Sequence, residues 1–191
     1  MEYLQNSIIT FGYIGIFFTF FAESGFLFGF FLPGDSLLFT LGLLASQGYF
    51  HVGILLVLCV LGAILGDTFG YFFGKKFGPR VFKREDSFFF HKRHIERARI
   101  FYEEHGKKAV ILARFIPIVR TFVPIFAGVG EMEYKTFFSY NVWGGILWAA
   151  GLLLLGYLLG GVVPEIERYL TYIIATVIVI SFLPVIKMFR K

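Results

Sequence analysis

The sequence predicts an all-α polytopic membrane protein, an inverted repeat of re-entrant hairpin plus transmembrane helix with an additional transmembrane helix at each terminus. Three observations carry this expectation. The 191 residues are 57% hydrophobic, include 27 Phe and have a mean hydropathy of +0.74, more apolar than a soluble domain of this size can cover with polar surface. Charge is segregated: all 18 Lys and Arg lie at or after Lys75, and the preceding residues carry only Glu2, Glu23, Asp35 and Asp67. Two apolar stretches are interrupted by proline, at Pro33-Gly34 and at Pro117 and Pro124, where a spanning helix would be continuous.

The elements follow in order. A first helix is expected over 8–22; no basic flank precedes it and no A-x-A site follows, so it reads as a retained helix and not a signal peptide. The apolar run continues to Phe50, too long for one crossing, yet Pro33-Gly34 leaves only 11 residues from Ser24, too few to span. A re-entrant hairpin over 24–47 fits. Residues 52–74, 23 in number with one charge, form a transmembrane helix. The segment 75–108 holds eleven Lys/Arg with His91, His94 and His105; the positive-inside rule makes it cytoplasmic, and its charge favours anionic headgroups. Its H-x-x-H lacks the carboxylates of a zinc pattern, so no metal or other cofactor is expected. Cys59, mid-span and alone, reads as packing.

Parity decides 109–130. Residues 136–161 and 169–186, 26 and 18 long and uncharged, are both expected to span. Were 109–130 a full crossing as well, Lys187, Arg190 and Lys191 would end outside, against the positive-inside rule. A second re-entrant hairpin over 109–130, with the prolines at its tip, returns the basic C-terminus to the cytoplasm. The two hairpins then enter from opposite faces. Short proline-interrupted segments in corresponding positions of two halves point to a transport site near the midplane.

An ionisable side chain at bilayer depth costs roughly 3 kcal/mol on insertion scales, so Glu23, Asp35, Asp67, Arg114 and Arg120 are expected to be gathered rather than scattered. Two arginines six residues apart around Pro117 suit a phosphate, which their planar forks hold bidentately; Thr121 joins them as a candidate phosphate contact. Helix N-termini after Pro33 and Pro117 add N–H donors. Other readings stay open: Arg114 snorkelling to the interface, Glu23 as a structural cap, Asp35 as a turn residue in Pro-Gly-Asp, Asp67 paired with Lys75 or Lys76. Gly62, Gly66, Gly70, Gly74 and Gly78 recur every fourth residue and make a ridge for close helix approach, within the chain or in a homo-oligomer. Trp143 and Trp148 read as packing or interface residues, and Asn141 as a bond to a neighbouring helix.

The stretches "ESGFLFGFFLPGDSLL" (23–38), "GDTFGYFFGKKFG" (66–78) and "RFIPIVRTFVPIFAGVGEMEYKTFFSYNVWG" (114–144) resemble the DedA family, also called the SNARE-associated or VTT-domain family. The resemblance covers roughly residues 8–160. It implies two opposed re-entrant hairpins in a bacterial cytoplasmic (inner) membrane protein. It also implies lipid transport dependent on proton motive force, with undecaprenyl phosphate or phosphatidylethanolamine as cargo. Carried over by motif, the functional acids fall on Glu23 and Asp35 and the functional arginines on Arg114 and Arg120. This chain has Phe28 and Phe31 where many members carry further prolines.

The expectation is therefore a proton-coupled flippase for a phosphorylated lipid headgroup, undecaprenyl phosphate first, with Arg114, Arg120 and Thr121 on the phosphate. Glu23, Asp35 and Asp67 would carry the proton coupling, and Pro33, Gly34, Pro117, Pro124, Gly66 and Gly70 packing or hinge roles. Partners are lipids and protons, with no nucleic acid. The rival transporter is a phosphatidylethanolamine scramblase. An enzyme is not expected, since a lipid phosphatase would need a nucleophile and acid, or a metal cage, at membrane depth.

Overall fold

The computed structural model describes residues 2–26, 29, 33–81, 100, 102–162 and 172. The expected span 169–186, most of the basic segment 75–108, and Phe28 and Phe31 therefore lie almost wholly outside the described residues. Among the described residues the chain is helical, without strands.

Helix α1 runs Glu2–Gly25 and α2 Gly34–Ser46; α3 covers Val52–Val81. After a 3-10 turn at Gly106–Lys108 come α4 (Ala109–Leu112), a 3-10 turn (Ala113–Phe115), α5 (Pro117–Val129) and α6 (Tyr134–Gly145). A π-helical turn, Ile146–Ala150, joins α6 to α7 (Gly151–Val162) without a break. Among the described residues, two helical runs are long and apolar enough to cross a membrane, Val52–Phe77 and Tyr134–Val162. Many of the residues they leave exposed are large and apolar, Ile54, Val57, Leu61 and Leu65 on the first and Leu154, Leu155 and Leu158 on the second among them.

Two boundaries differ from the sequence expectation. α1 continues past 22 to Gly25, so Glu23 and Ser24 belong to a helix end and not to a hairpin arm. The second proline-rich stretch bends once. Ile116 is extended (φ −121°, ψ 104°) and Pro117 opens α5, where its missing N–H leaves no bond unmade. α5 then runs straight through Pro124, so that proline is no helix break. It faces Gly70 of α3, where even an added Cβ would lie 3.5 Å from it, and this packing supports the helix where one backbone bond is missing.

The two short helices are alike in length and in how they start and end. α2 and α5 both contain 13 residues and both start at a proline, Pro33 as N-cap and Pro117 at the first position. Both end in a Schellman turn. Gly48 (φ 82°) lets Tyr49 N–H reach the Leu44 carbonyl, and Glu131 (φ 53°) lets Met132 N–H reach that of Ala127. Each short helix packs on the long run of the other half, α2 on α7 and α5 on α3, while α1 lies against α3.

Reciprocal glycines make these crossings close. A Cβ on Gly66 would lie 2.6 Å from the Phe21 carbonyl, one on Gly25 3.1 Å from that of Gly66, and one on Gly42 2.8 Å from the Tyr157 nitrogen. A Cβ on Gly74 would collide with the Ile125 carbonyl, and one on Gly128 with that of Tyr71. The glycine ridge of α3 thus receives α1 and α5 of the same chain, at backbone contact, where van der Waals packing drives helix association in lipid.

Candidate functional site

The bend and the break set the charged side chains against one another. Glu23 sits in the last turn of α1, Asp35 in the first turn of α2, Asp67 mid-α3, Arg114 in the 3-10 turn before the bend and Arg120 in the first turn of α5. Glu23, Asp67, Arg114 and Arg120 are all buried. They form two groups.

In the first, Arg120 spans two carboxylates: its Nη2 donates to Glu23 Oε1 and its Nη1 to Asp35 Oδ1 at 3.0 Å. The same Glu23 oxygen accepts the Gly34 N–H at 3.1 Å, so a carboxylate from α1 caps the N-terminus of α2, where dipole and free N–H favour a negative charge. This explains Gly34, because any Cβ there would fall on the Glu23 carboxylate. Trp148, from the π-turn, donates its indole Nε1–H to Asp35 Oδ1 at 2.7 Å and lays its ring 5.0 Å from the Arg120 guanidinium. Exposure separates the two acids: the Glu23 side chain is 1% exposed, the Asp35 side chain 49%.

The second group is closed. Arg114 Nη2 donates to Asp67 Oδ2 and to Asn141 Oδ1, both at 2.5 Å. Asn141 Nδ2 in turn donates to the Ile64 carbonyl at 3.0 Å, tying α6 to α3. Arg114 therefore does not snorkel, and Asp67 pairs with it rather than with Lys75 or Lys76. Gly144 gives the arginine room, since a Cβ there would lie 3.0 Å from Arg114 Cδ.

Two guanidinium groups thus meet three carboxylates, a surplus of one acid. The pairing leaves three buried polar atoms without a hydrogen-bond partner: Arg114 Nε, Arg120 Nε and Glu23 Oε2. An unmet buried donor costs about 1–3 kcal/mol, more for a charged group, so these are features to be explained rather than packing details.

Thr121 is buried beside Arg120. Pro33, Gly34 and Pro117 lie at the helix starts that carry Asp35 and Arg120, and Gly66 and Gly70 flank Asp67 on the ridge that receives α1 and α5. Sequence reasoning missed the role of Trp148. It is one of only two tryptophans in an apolar run, and the π-turn that aims it has no signature in the residues around it.

Comparison with known proteins agrees with this architecture. The VTT domain family matches residues 32–158, well over half of the chain. Protein DedA of Escherichia coli is 42% identical over 174 residues, 90% of this chain and 79% of that protein. The uncharacterized membrane protein Rv0364 of Mycobacterium tuberculosis is 45% identical over 172 residues, 89% of this chain and 75% of its own. The inner membrane protein YqjA of Escherichia coli is 34% identical over 160 residues, 83% of this chain and 73% of its own. No solved structure gives a significant match. With the match spanning both proline-broken segments and both long helical runs, the chain is a membrane protein of the DedA family, defined by its VTT domain.

Proposed function

We propose that this protein carries a phosphorylated lipid headgroup across a bacterial cytoplasmic membrane, with undecaprenyl phosphate, the cargo the family resemblance implies, as the first candidate. One observation carries the reading: two buried arginines, six residues apart, each keep an unpartnered Nε–H, while carboxylates hold both Nη atoms of Arg120 and Nη2 of Arg114. A phosphate has the acceptors that both guanidinium edges lack, and arginine binds it through two parallel N–H bonds.

The competition for Arg120 supplies a mechanism. A phosphate that takes Arg120 must displace Asp35 or Glu23, and a displaced buried carboxylate is stable only if it gains a proton. Glu23 Oε2 is unpartnered, so a proton there neutralises the acid without breaking an existing bond. Asp35, half-exposed, is the side from which a headgroup reaches the pair. Proton uptake and anion binding are then coupled, as transport driven by proton motive force requires. Arg114, closed off by Asp67 and Asn141, is the deeper of the two phosphate ligands and is released later.

The same proposal includes the topology. At 1.5 Å per residue α2 and α5 are about 20 Å long, short of the ~30 Å hydrocarbon core, which supports two re-entrant hairpins related as an inverted repeat. The basic segment after α3 lies in the cytoplasm in this reading. The chemistry proposed is carriage without bond cleavage, so purified protein should release no inorganic phosphate from a lipid phosphate.

The surplus carboxylate favours a second reading, a phosphatidylethanolamine scramblase, in which the third acid meets the amine. Native mass spectrometry of copurified lipids separates the two. A bound polyprenyl phosphate, lost in Arg120→Ala, is expected; phosphatidylethanolamine alone favours the second reading, and no phosphate-bearing lipid at all contradicts both.

A further inference from the structure

Trp148 touches both ionic groups and belongs to neither by charge. Its indole N–H shares Asp35 Oδ1 with Arg120, its ring lies 5.0 Å from the Arg120 guanidinium and 6.0 Å from that of Arg114, and it meets Phe20 of α1 in an edge contact at 6.1 Å. It is 2% exposed. It therefore contacts a residue from α1, α2 and α5 and the turn carrying Arg114, all the segments that hold the first group and one that holds the second.

The backbone at this point is unusual in a way that serves the contact. Ile146–Ala150 is a π-helical turn inside an otherwise α-helical run, and such turns shift the face on which the following side chains emerge, frequently at functional sites. Gly144 and Gly145 precede it where Arg114 and Ile64 press close.

We propose that Trp148 is a positioning residue for anion exchange at Arg120: its indole N–H keeps hold of Asp35 when a phosphate takes Asp35's place on the guanidinium. This rests on the phosphate-carrier reading above. In the ion-paired arrangement Asp35 Oδ1 has two donors, Arg120 Nη1 and Trp148 Nε1. After exchange only the indole remains. Removing that N–H thus harms the phosphate-bound state more than the ion-paired one and weakens phosphate binding. The ring face, a neutral surface over the cation, stays in place in both states and keeps the guanidinium aligned for either partner.

The protein carries its own reporter. It has two tryptophans, and Trp143 is 60% exposed, so a Trp143→Phe protein emits from Trp148 alone. Purified in detergent, this protein is titrated with farnesyl phosphate, with farnesol and with inorganic phosphate, following Trp148 emission and, in parallel, calorimetric binding. Farnesyl phosphate should change the emission saturably and farnesol should not. Asp35→Asn in the same background should abolish the emission change. Trp148→Phe should weaken calorimetric binding about tenfold, the effect of losing one hydrogen bond to a charged group. In the Asp35→Asn background, where the competitor for Arg120 is already weakened, Trp148→Phe should cause no loss of affinity, because the indole acts through Asp35. A merely structural tryptophan would give the same loss in both backgrounds.

The outcomes separate the two claims. If farnesyl phosphate binds but Trp148→Phe binds it as tightly as the parent, or the two substitutions add, the role of Trp148 is overturned and the carrier reading stands. An equal response to inorganic phosphate keeps the role of Trp148 and overturns the lipid reading. No binding of any phosphate overturns both. Should Trp148→Phe fail to fold, the Asp35→Asn emission result decides alone, a persisting change overturning the proposal.

Discussion

Glu23→Gln isolates the competition for Arg120, because glutamine keeps the shape of the side chain and removes its charge. The amide oxygen can still accept the Gly34 N–H and Arg120 Nη2, the two bonds that Glu23 Oε1 accepts. The amide nitrogen takes the position of Oε2, which has no partner, so no existing bond is lost. What changes is strength. Hydrogen bonds to charged groups contribute about 1.5–3 kcal/mol, and the bond to glutamine keeps one charged partner instead of two, so Arg120 is held less firmly by up to about 1.5 kcal/mol. An anion competing for that guanidinium gains the difference, up to about tenfold in affinity. In the parent protein the same release comes from protonating Glu23, so binding there tightens as pH falls. The phosphate's own second ionisation, near pH 6, acts on both proteins alike and cancels in their ratio. The assay is calorimetric binding of farnesyl phosphate at several pH values, with thermal melts on the same preparations. Glu23→Gln should bind more tightly at high pH, and the gap should close as pH falls. A folded Glu23→Gln protein that binds more weakly at every pH would mean that Glu23 and Arg120 form a structural salt bridge, and the competition mechanism would be wrong.

Three further predictions concern topology and packing. Cysteines placed singly at Lys108 and at Glu133, both exposed, in a Cys59→Ser background should label only from the cytoplasmic side; labelling from opposite sides excludes a re-entrant α4–α5 segment. Gly74→Ala drives a methyl into the Ile125 carbonyl and should destabilise the protein by up to about 3 kcal/mol, whereas Gly151→Ala meets nothing within 4 Å and should be neutral or stabilising by less than about 1 kcal/mol. Equal melting temperatures for the two would contradict the glycine-mediated contact of α3 with α5. Asn141→Leu leaves Arg114 with Asp67 alone and strips the Ile64 carbonyl of a donor, a loss of roughly 2–3 kcal/mol in a melt; an unchanged melt would show that the second group does not tie α6 to α3.

How far the sequence could be read depended on what each residue costs. Membrane class and family were legible because apolar composition and a long block with two arginines and two prolines leave few alternatives. The five ionisable residues at depth could be named for the same reason, since scattering them in lipid is prohibitive. Their pairing was not legible. Nothing in a linear pattern tells whether Asp67 turns toward Lys75, two turns along its own helix, or toward Arg114, 47 residues away; the rotation of α3 is set by the glycine ridge seating α1 and α5. Pro124 misled because a proline breaks a helix only where packing does not support it, and here it is braced by α3. Trp148 was hidden by the π-turn, which moves it off the face a regular helix would give it.

Transport itself tests the central claim most directly. Unidirectional flux of undecaprenyl phosphate is measured in proteoliposomes under an imposed proton gradient, with the parent protein, Arg120→Ala and Arg120→Lys side by side. The parent should move the lipid, Arg120→Ala should not, and Arg120→Lys should fall at least tenfold, since lysine keeps the charge but loses the planar fork that spans Glu23 and Asp35 or grips a phosphate. Folded parent protein that moves no lipid phosphate, or Arg120→Lys transporting at the parental rate, would contradict the account.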